Sequence, residues 1–549
     1  MITGGWVYHR FEFSSLDAWV WILILLTLAY RKVTSRLPTY FEKLTQLLER
    51  SSRLPPRRVV SAVLGVFFLL FLAHSLKHLS LKTHSYDLTF LHQPLLHASH
   101  PIHATQAMKC DLCLNGTFFG EHLSFTLYLL KPITLFFSHF SFADFGVFFL
   151  QALIIALGLL ALLPTGALRK NRELWFLAAL VFLSSRSLRN SVVWDFREDS
   201  LIFLFLCMFL GALSLGRVWL SLACAALACL TKENVAFILP FCALPLLLDS
   251  SLLLNRRQRV FLASTLLIFT GVYAAFSFSF LIPHYNGHTQ ASNIIAVRFP
   301  GLGNTPKEIV VHLLTHPSAW WMLIRTKFLH AITLKYLVLL FGPMALLLWV
   351  APLWVIPALP GLAMNLLSAA ETQRSLQFHY DLMILPFLFF ATLQGFKRQA
   401  ARIEVTGLQN PRARARWTWT LLVALAFSGR WPGRAITENW PSLSTIRDSA
   451  FLSHLESSRP TAATAKTLAQ LSHLDELREL RYPLEFNSND RTALEGHGAN
   501  QARAWVLDLY SPEEAEIMQI LMKSAPPQWT RESLSPSGRF EVWVRLDSR

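Results

Sequence analysis

Residues 59–80 read VVSAVLGVFFLLFLAHSLKHLS, an apolar run longer than a helix of a soluble domain requires. About 20 apolar residues in a helix are enough to cross the hydrocarbon core of a bilayer. The rest of the chain is similar, with 53% hydrophobic residues and a mean hydropathy of +0.39. Charged residues make up 15% of the chain, against roughly 25% in ordinary globular proteins. The sequence therefore predicts a mainly α-helical, polytopic membrane protein.

Further apolar runs extend outward from this stretch, and several of them are short or interrupted by proline. Together they predict about eleven crossings. The predicted spans are 59–80, 139–163, 173–190, 199–215, 217–231, 234–249, 260–282, 333–350, 351–368, 380–396 and 415–430. With this count, the Arg/Lys clusters in 31–58, 164–173, 249–259 and 396–416 all fall on one side. The positive-inside rule makes that side cytoplasmic.

The net charge of +16 does not indicate nucleic-acid binding, because its distribution follows the membrane topology. Residues 431–549 carry 13 Lys/Arg and 16 Asp/Glu, a net charge of −3, so residues 1–430 carry 37 and 18, a net charge of +19. The positive excess lies in the short loops that orient helices in a bilayer. We therefore expect membrane lipids as partners and no nucleic acid.

The same topology places loop 81–138 and the segment 431–549 outside the cytoplasm. Residues 504–508 and 539–546 have strand patterns, and 512–523 has a helix pattern. We predict three domains: an N-terminal segment 1–58, a transmembrane domain 59–430, and a small extracytoplasmic α/β domain 431–549. The apolar stretch 16–30 is either a further span or an interfacial helix. Arg31-Lys32 follow it without a small-residue cleavage site, so a cleaved signal peptide is not expected.

Acidic and histidine side chains follow the first long span in the predicted outer loop. Asp87 comes seven residues after residue 80, and Glu121-His122 opens the next apolar stretch. A carboxylate at the edge of the bilayer can act as a base on a hydroxyl or amine, since low dielectric raises its pKa. The alternative is that Asp87 and Glu121 cap the interfacial helices 88–97 and 123–137.

The same loop is rich in histidine and contains Cys110 and Cys113. A Cys-x-x-Cys pair near histidine can bind zinc, but this spacing matches no standard zinc finger. The pair is alternatively a disulfide or two free thiols, and the sequence leaves these readings open.

Other polar residues lie at the outer ends of the predicted spans, where charges are costly unless paired or functional. They are Asp199, Lys232, Glu233, His379, Tyr380, Asp381, Arg325, Lys327 and Arg374. Lys232 and Glu233 alternatively neutralise each other. The basic residues Arg325, Lys327 and Arg374 can bind a lipid phosphate or act as snorkelling anchors.

In order and spacing, these landmarks resemble one bacterial family, domain of unknown function 2079, which is grouped with the GT-C membrane glycosyltransferases. The resemblance covers roughly residues 60–396. It is carried by Tyr86 to Gln93, Gly120 to Phe125, Asp195 to Asp199, Lys232 to Asn234, Leu313 to Lys327, Asn365 to Ser368 and His379 to Asp381. The family tends to have His-Pro-Glu after the phenylalanine where this chain has Arg197-Glu198-Asp199. A role of that histidine is either absent here or taken over by Asp199.

The resemblance implies a GT-C-like fold and transfer of a sugar from a polyprenyl-phosphate donor at the outer face of the bacterial inner membrane. Asp87 takes the position of the family's acidic residue after the first span. Glu121 and His122 would line the site or help to hold a divalent cation. His379, Tyr380, Asp199, Lys232, Glu233, Arg325, Lys327 and Arg374 would bind the substrate, with the basic ones on the donor phosphate.

Two other functions remain compatible with the residues. Buried Lys232, Glu233 and Asp381 also suit a transporter or lipid flippase, which requires a continuous path between the two faces. A non-catalytic scaffold would depend on the segment 431–549 for partner binding.

Overall fold

The computed structural model describes residues 56–83, 85–97, 108, 113, 116–139, 143–163, 172–287, 295, 298–406, 423–424, 427, 436–480, 502–510 and 529–546. The predictions for the apolar stretch 16–30, the span 415–430 and the helix 512–523 lie outside these residues, apart from three isolated positions.

The described chain is mostly helical, as the composition predicts. The α-helices are Pro56–Leu79, Ser85–His97, Lys131–His139, Ala143–Leu162, Arg172–Leu183, Arg186–Val193, Asp199–Ser214, Val218–Thr231, Ala243–Leu248, Arg256–Phe276, Ile282–Tyr285, Pro306–Thr315, Pro317–Leu323, Ala331–Phe341, Ala345–Leu348, Leu359–Leu367, Leu385–Thr406, Leu443–Ser453 and Ala465–Leu468. Short 3-10 turns are Phe118–Gly120, Phe125–Leu129, Glu233–Phe237, Leu239–Cys242, Gly342–Met344, Pro352–Ala358, Glu371–Arg374 and His379–Met383. Ser277–Leu281 and Ile324–Phe328 are π-helical.

Within the described residues, three helical segments are long and apolar enough to cross a membrane: Arg57–Leu79, Asp144–Leu162 and Arg256–Tyr285. They match the predicted spans 59–80, 139–163 and 260–282. Shorter apolar helices occupy Asp199–Ser214, Val218–Thr231, Glu233–Leu248, Ala331–Met344 and Pro352–Leu367. The count of eleven crossings therefore stays a prediction.

Proline and serine explain why several predicted spans are broken into shorter pieces. The predicted span 173–190 is interrupted at Ser184-Ser185, where the Ser185 side chain caps the next helix by accepting from Leu188 N. Pro240, Pro343 and Pro357 each lie in a 3-10 turn, because proline cannot donate the backbone hydrogen bond of a continuous α-helix.

The segment after residue 436 contains the predicted sheet, with five strands in the order β2-β1-β3-β5-β4. The strands are β1 (Thr461–Thr464), β2 (Leu477–Leu480), β3 (Ala504–Asp508), β4 (Trp529–Leu534) and β5 (Phe540–Arg545). β1 pairs in parallel with β2 and β3, whereas β5 pairs antiparallel with β3 and β4. The predicted strands 504–508 and 539–546 are confirmed as β3 and β5. The domain boundary at 431 remains a prediction.

The sheet domain packs directly on the helical domain near the first outer loop. Leu81 contacts the apolar core of the sheet domain, which includes Leu452, Val506 and Val542. Helix Ala465–Leu468 packs against helix Ser85–His97. The two domains therefore meet at the helix that carries Asp87.

Candidate functional site

Asp87 lies in the first turn of helix Ser85–His97, just after the first long apolar helix ends at Leu79. Its side chain falls outside the described part of the structure, so its role as a base stays a prediction. The helix places Leu88, Leu91 and Leu95 in the apolar core. The position of this helix is thus fixed by packing.

The later part of this helix is held by a polar cluster that joins both domains. His92 is fully buried, and its Nδ1 lies 2.7 Å from Asp144 Oδ1 and 2.9 Å from Ser472 Oγ. Ser472 Oγ donates to the same Asp144 oxygen at 2.7 Å. Gln470 Nε2 donates to the carbonyl oxygen of His78 at 3.2 Å. We name His78, His92, Asp144, Gln470 and Ser472 the interdomain cluster.

Asp144 was not among the predicted site residues, although a carboxylate within an apolar run is a signal for a site. Its partners Gln470 and Ser472 had no comparable signal, because they lie in an ordinary polar segment more than 300 residues later. Only the three-dimensional fold brings these residues together.

Glu121 and His122 follow the buried 3-10 turn Phe118–Gly120, whose N-terminus is capped by the Thr117 side chain. Glu121 lies at the C-terminal end of this turn, and its backbone N donates to Phe118 O. The alternative that Glu121 caps a helix over 123–137 is therefore wrong. The helix in this region begins later, at Lys131.

His122 contacts Glu233, which the sequence placed in a different loop. His122 Nδ1 lies 3.0 Å from Glu233 Oε1, and the backbone N of Leu123 donates to Glu233 Oε2 at 3.0 Å. Both oxygens of Glu233 are thus bound by the outer loop. This contact brings together two of the predicted site residues.

Lys232 pairs with two other carboxylates, so the interpretation that it neutralises Glu233 is wrong. Its Nζ lies 2.6 Å from Glu198 Oε1 and 3.1 Å from Asp199 Oδ2. All three side chains are buried. Lys232 is the C-cap residue of helix Val218–Thr231, and Glu198 is the N-cap residue of helix Asp199–Ser214. The charges therefore lie at the ends of apolar helices.

Burial by itself would raise the pKa of Glu198, but Arg197 and Lys232 outweigh it and hold that pKa well below its usual range. Arg197 Nε lies 3.6 Å from Glu198 Oε2. Glu198 is consequently an anion matched by two cations. A buried charge is tolerated only with such partners.

His379 completes this group, and we name Arg197, Glu198, Asp199, Lys232 and His379 the open cluster. His379 Nε2 lies 3.7 Å from Asp199 Oδ2. Burial, followed by the charges of Arg197 and Lys232, lowers the pKa of His379 well below its ordinary value. Its ring is therefore neutral at physiological pH.

The open cluster contains buried polar atoms that the described residues leave without a hydrogen bond. They include Oδ1 of Asp199 and both ring nitrogens of His379. Leaving such atoms unpaired costs about 1–3 kcal/mol each, so they are unusual in a folded protein. Together they offer an acceptor and an imidazole to a hydroxyl-bearing ligand.

Asp381 is two residues further along, and all of its carboxylate contacts come from neutral donors. Its Oδ1 accepts from Tyr336 Oη at 2.6 Å and from Asn365 Nδ2 at 3.2 Å. Its Oδ2 accepts from Ser187 Oγ at 2.6 Å. We name these four residues the closed cluster. It joins four segments of the chain and leaves neither oxygen of Asp381 without a donor.

The remaining predicted residues are spread over two places. Tyr380 is half-buried under the Arg298 guanidinium, whose Cζ lies 5.8 Å from the ring centroid. Arg325 is exposed on the π-helix Ile324–Phe328. Lys327 Nζ donates to Ser368 O at 3.2 Å, and the buried Arg374 donates through one terminal nitrogen to Thr333 Oγ1 at 3.3 Å. Burial and then the Arg374 charge lower the pKa of Lys327.

Cys113 is disulfide-bonded, so it is neither a free thiol nor a thiolate ligand of zinc. Its partner lies outside the described residues. Among the described residues, four further cysteines are buried free thiols: Cys207, Cys224, Cys229 and Cys242. No three His, Cys, Asp or Glu side chains of the described residues are grouped as ligands of a metal ion.

A match to a protein family agrees with the membrane interpretation. The model of the family "Predicted membrane protein (DUF2079)" matches residues 77–471. No curated protein matches the chain. Among solved structures, the chain is similar to ArnT from Cupriavidus metallidurans bound to undecaprenyl phosphate, with 13% identity, 90% of this chain and 99% of that chain covered, and a TM-score of 0.49. The archaeal oligosaccharyltransferase AglB from Archaeoglobus fulgidus matches at 11% identity, with 89% and 74% covered and a TM-score of 0.44.

Proposed function

The chain belongs to the DUF2079 family of predicted membrane proteins, and on this premise we propose that it is a membrane glycosyltransferase. It transfers a sugar from a polyprenyl-phosphate donor to an acceptor at the outer face of the bacterial inner membrane. The observation that supports this most is the open cluster, in which Asp199 and His379 keep unpaired polar atoms beside charges that are already balanced. A sugar offers the hydroxyl donors and acceptors that those atoms lack.

The location of the cluster also supports this function. It lies at the ends of apolar helices, next to the outer loop that reaches Glu233 through His122. A lipid-linked sugar places its polar head at this depth, between hydrocarbon and water. The disulfide at Cys113 in the same loop favours an extracytoplasmic location, because disulfides persist in oxidising compartments.

In the proposed reaction, the Asp87 carboxylate takes the proton from the acceptor hydroxyl. The acceptor oxygen forms a bond to the anomeric carbon while the bond from that carbon to the phosphate oxygen breaks. The electron pair of the broken bond leaves with the polyprenyl phosphate. Lys327 and Arg374 would stabilise this phosphate. General-base catalysis by Asp87 would contribute about 10²–10⁴-fold.

The residues of the open cluster would orient the sugar and exchange no proton with it. His379 is neutral, so it can donate through one ring nitrogen and accept through the other. His122 holds Glu233 in place, and Tyr380 lies beside His379 with ring centroids 4.3 Å apart. Glu121 would line the entrance from the loop.

The open cluster does not suit a divalent cation. The Lys232 ammonium group already lies between Glu198 and Asp199, in the position that a cation would take between two carboxylates. In the proposed reaction, the open cluster therefore binds the sugar without a metal ion. Residual activity in excess EDTA tests whether a cation contributes elsewhere in the site.

The test uses the full chain in right-side-out membrane vesicles from the source organism lacking its chromosomal copy. Undecaprenyl-phosphate-linked hexoses and pentoses are supplied as donors, and release of undecaprenyl phosphate is measured. We expect one donor class to react, and Asp87→Asn to lower the rate at least about 100-fold at unchanged abundance. Asp475→Asn is the matched control, since Asp475 is an exposed carboxylate of the sheet domain.

Full transfer by Asp87→Asn would remove the base from the proposal. A wild-type protein that is abundant yet inactive with every donor would argue against the enzyme as a whole.

A further inference from the structure

The segment 306–330 has an apolar surface that the described protein does not cover. Helix Pro306–Thr315 has no buried residue, although five of its ten residues are Ile, Val or Leu. Leu314 is 76% exposed and Trp321, on the following helix, is 64% exposed. Such an apolar surface needs a partner, since exposed apolar patches of this kind mark interaction sites.

The segment is a preformed unit and not an unstructured loop. Thr305 Oγ1 caps the first helix by accepting from Glu308 N, and Glu308 Oε2 accepts from Asn304 N. Gly303 has a φ of +148°, and an added Cβ there would lie 2.7 Å from Glu308 Cβ. The N-terminus of the helix is thus fixed by local contacts.

A bend at His316-Pro317 joins this helix to Pro317–Leu323, and a side chain holds the bend. The indole Nε1 of Trp320 donates to Leu313 O at 2.8 Å, across the junction. The two helices therefore form an angled pair. We name this pair, together with the π-helix Ile324–Phe328 that follows it, the surface bracket (residues 306–330). Because its shape is fixed, its apolar and polar sides are fixed as well.

The two sides of the first helix differ in chemistry. Glu308 and His312 lie one turn apart on one side, where His312 also stacks on His316. Val310 and Leu314 lie one turn apart on the other side and are exposed. Residues four apart share a helix face, so the bracket is amphipathic.

The charge of the bracket favours one kind of partner. Residues 306–330 contain Lys307, Arg325 and Lys327 but a single acid, Glu308, for a net charge of 3 − 1 = +2 with histidine neutral. The topology predicts this segment on the outer side, where the positive-inside rule disfavours basic residues. Tryptophan and basic residues beside an apolar helix face are typical of helices that lie in the membrane interface.

We propose that the surface bracket lies in the outer membrane interface, with Leu314 and Trp321 in the acyl region and Lys307 and Arg325 on anionic lipid headgroups. The occupant of the apolar face is the bilayer itself. Since the bracket ends where helix Ala331–Phe341 begins, it enters the bilayer directly through that helix. This inference is independent of the enzyme function.

The test places the photo-crosslinker benzoylphenylalanine at single positions of the full-length protein. The protein is held in nanodiscs of phosphatidylcholine, with or without about 30% phosphatidylglycerol as the anionic lipid. We expect substitutions at Leu314 and Trp321 to crosslink lipid, and the matched substitutions at Glu308 and His312 on the polar side to give little lipid adduct. Mass spectrometry of the adducts distinguishes the lipids from protein partners.

The headgroup preference is tested with Lys307→Gln and Arg325→Gln. Each removed charge should lower the ratio of phosphatidylglycerol to phosphatidylcholine adducts at position 314 about fivefold. Arg447→Gln, in an exposed part of the sheet domain, should leave this ratio unchanged.

Equal lipid adducts from both sides of the helix would overturn the proposed orientation. Adducts of Leu314 and Trp321 positions with a second copy of the chain, or with the sheet domain, would overturn the bilayer as occupant. An adduct ratio that is insensitive to both charge variants would overturn the anionic-lipid part.

Discussion

His379 and Asp381 are two residues apart on the same 3-10 turn, yet the polar clusters around them differ in kind. The closed cluster gives Asp381 three neutral donors and leaves neither of its oxygens without a donor. The open cluster holds more charges but leaves Asp199 Oδ1 and the His379 ring nitrogens unpaired. Burial of a charged group is therefore a poor guide to function by itself. The unpaired atoms mark the open cluster as the place for a ligand.

The largest expected effect comes from removing the cation of the open cluster. Lys232→Met leaves Glu198 and Asp199 buried without their shared partner, which should destabilise the protein by about 3–5 kcal/mol. Thermal unfolding of the detergent-solubilised protein measures this loss. Lys232→Arg keeps the charge and should retain most of the stability. A stable Lys232→Met protein would mean that the carboxylates are already protonated.

The next largest effect is a loss of sugar transfer without a loss of protein stability. Asp199→Asn should lower sugar transfer about 10- to 100-fold, because a sugar hydroxyl would lose its hydrogen bond to an anionic acceptor. Its unfolding temperature should change little, since Lys232 keeps Glu198 as a partner. Release of undecaprenyl phosphate gives the rate. Unchanged transfer would place the substrate elsewhere and remove the distinction between the clusters.

The same chemical change in the closed cluster should have the opposite outcome. Asp381→Asn replaces an acceptor oxygen by a donor that meets another donor, from Ser187 or from Tyr336 and Asn365. We expect a loss of about 1–2 kcal/mol in stability and normal transfer per folded molecule. If Asp381→Asn instead lost transfer at full stability, Asp381 would belong to the functional site. The transporter interpretation also gives Asp381 a functional role.

The smallest expected effect is a pH dependence of stability from His379. Its pKa is lowered in the folded protein, so the unfolded chain binds the proton more readily once the pH falls below about 6.5. The stability is therefore fully present above pH 6.5 and decreases as the pH falls below it. Unfolding temperatures between pH 8 and pH 5 should show a shallower acid decline in His379→Gln. An identical decline in both proteins would assign it to other groups.

Much of this architecture could be predicted from the sequence, because it depends on runs of residues. The apolar stretches around Phe67, Ile155 and Leu266 predicted the three long helices, and the alternation at Trp505 and Trp543 predicted two strands. The partners of Lys232 could not be predicted in this way. Adjacent Glu233 was the obvious candidate by spacing, but backbone geometry turns the two side chains to different neighbours.

The site was predicted as a set of residues but not as an arrangement. Asp199, Lys232 and His379 were each singled out because charge beside an apolar run is costly. The division into open and closed clusters depends on distances between segments that lie up to 194 residues apart, such as Ser187 and Asp381. No local pattern encodes these distances, so the roles of the residues needed the fold.

The interdomain cluster has a consequence for how a cell makes this protein. Asp144 accepts a hydrogen bond from Ser472, which is 328 residues later in the chain. At translation rates of about 5–20 residues per second, a 328-residue separation delays this partner by roughly 15–70 s. During that interval, His78, His92 and Asp144 lack their contacts with Gln470 and Ser472. We expect truncated chains that end before Gln470 to be cleared by membrane proteases, because the interdomain cluster then lacks Gln470 and Ser472.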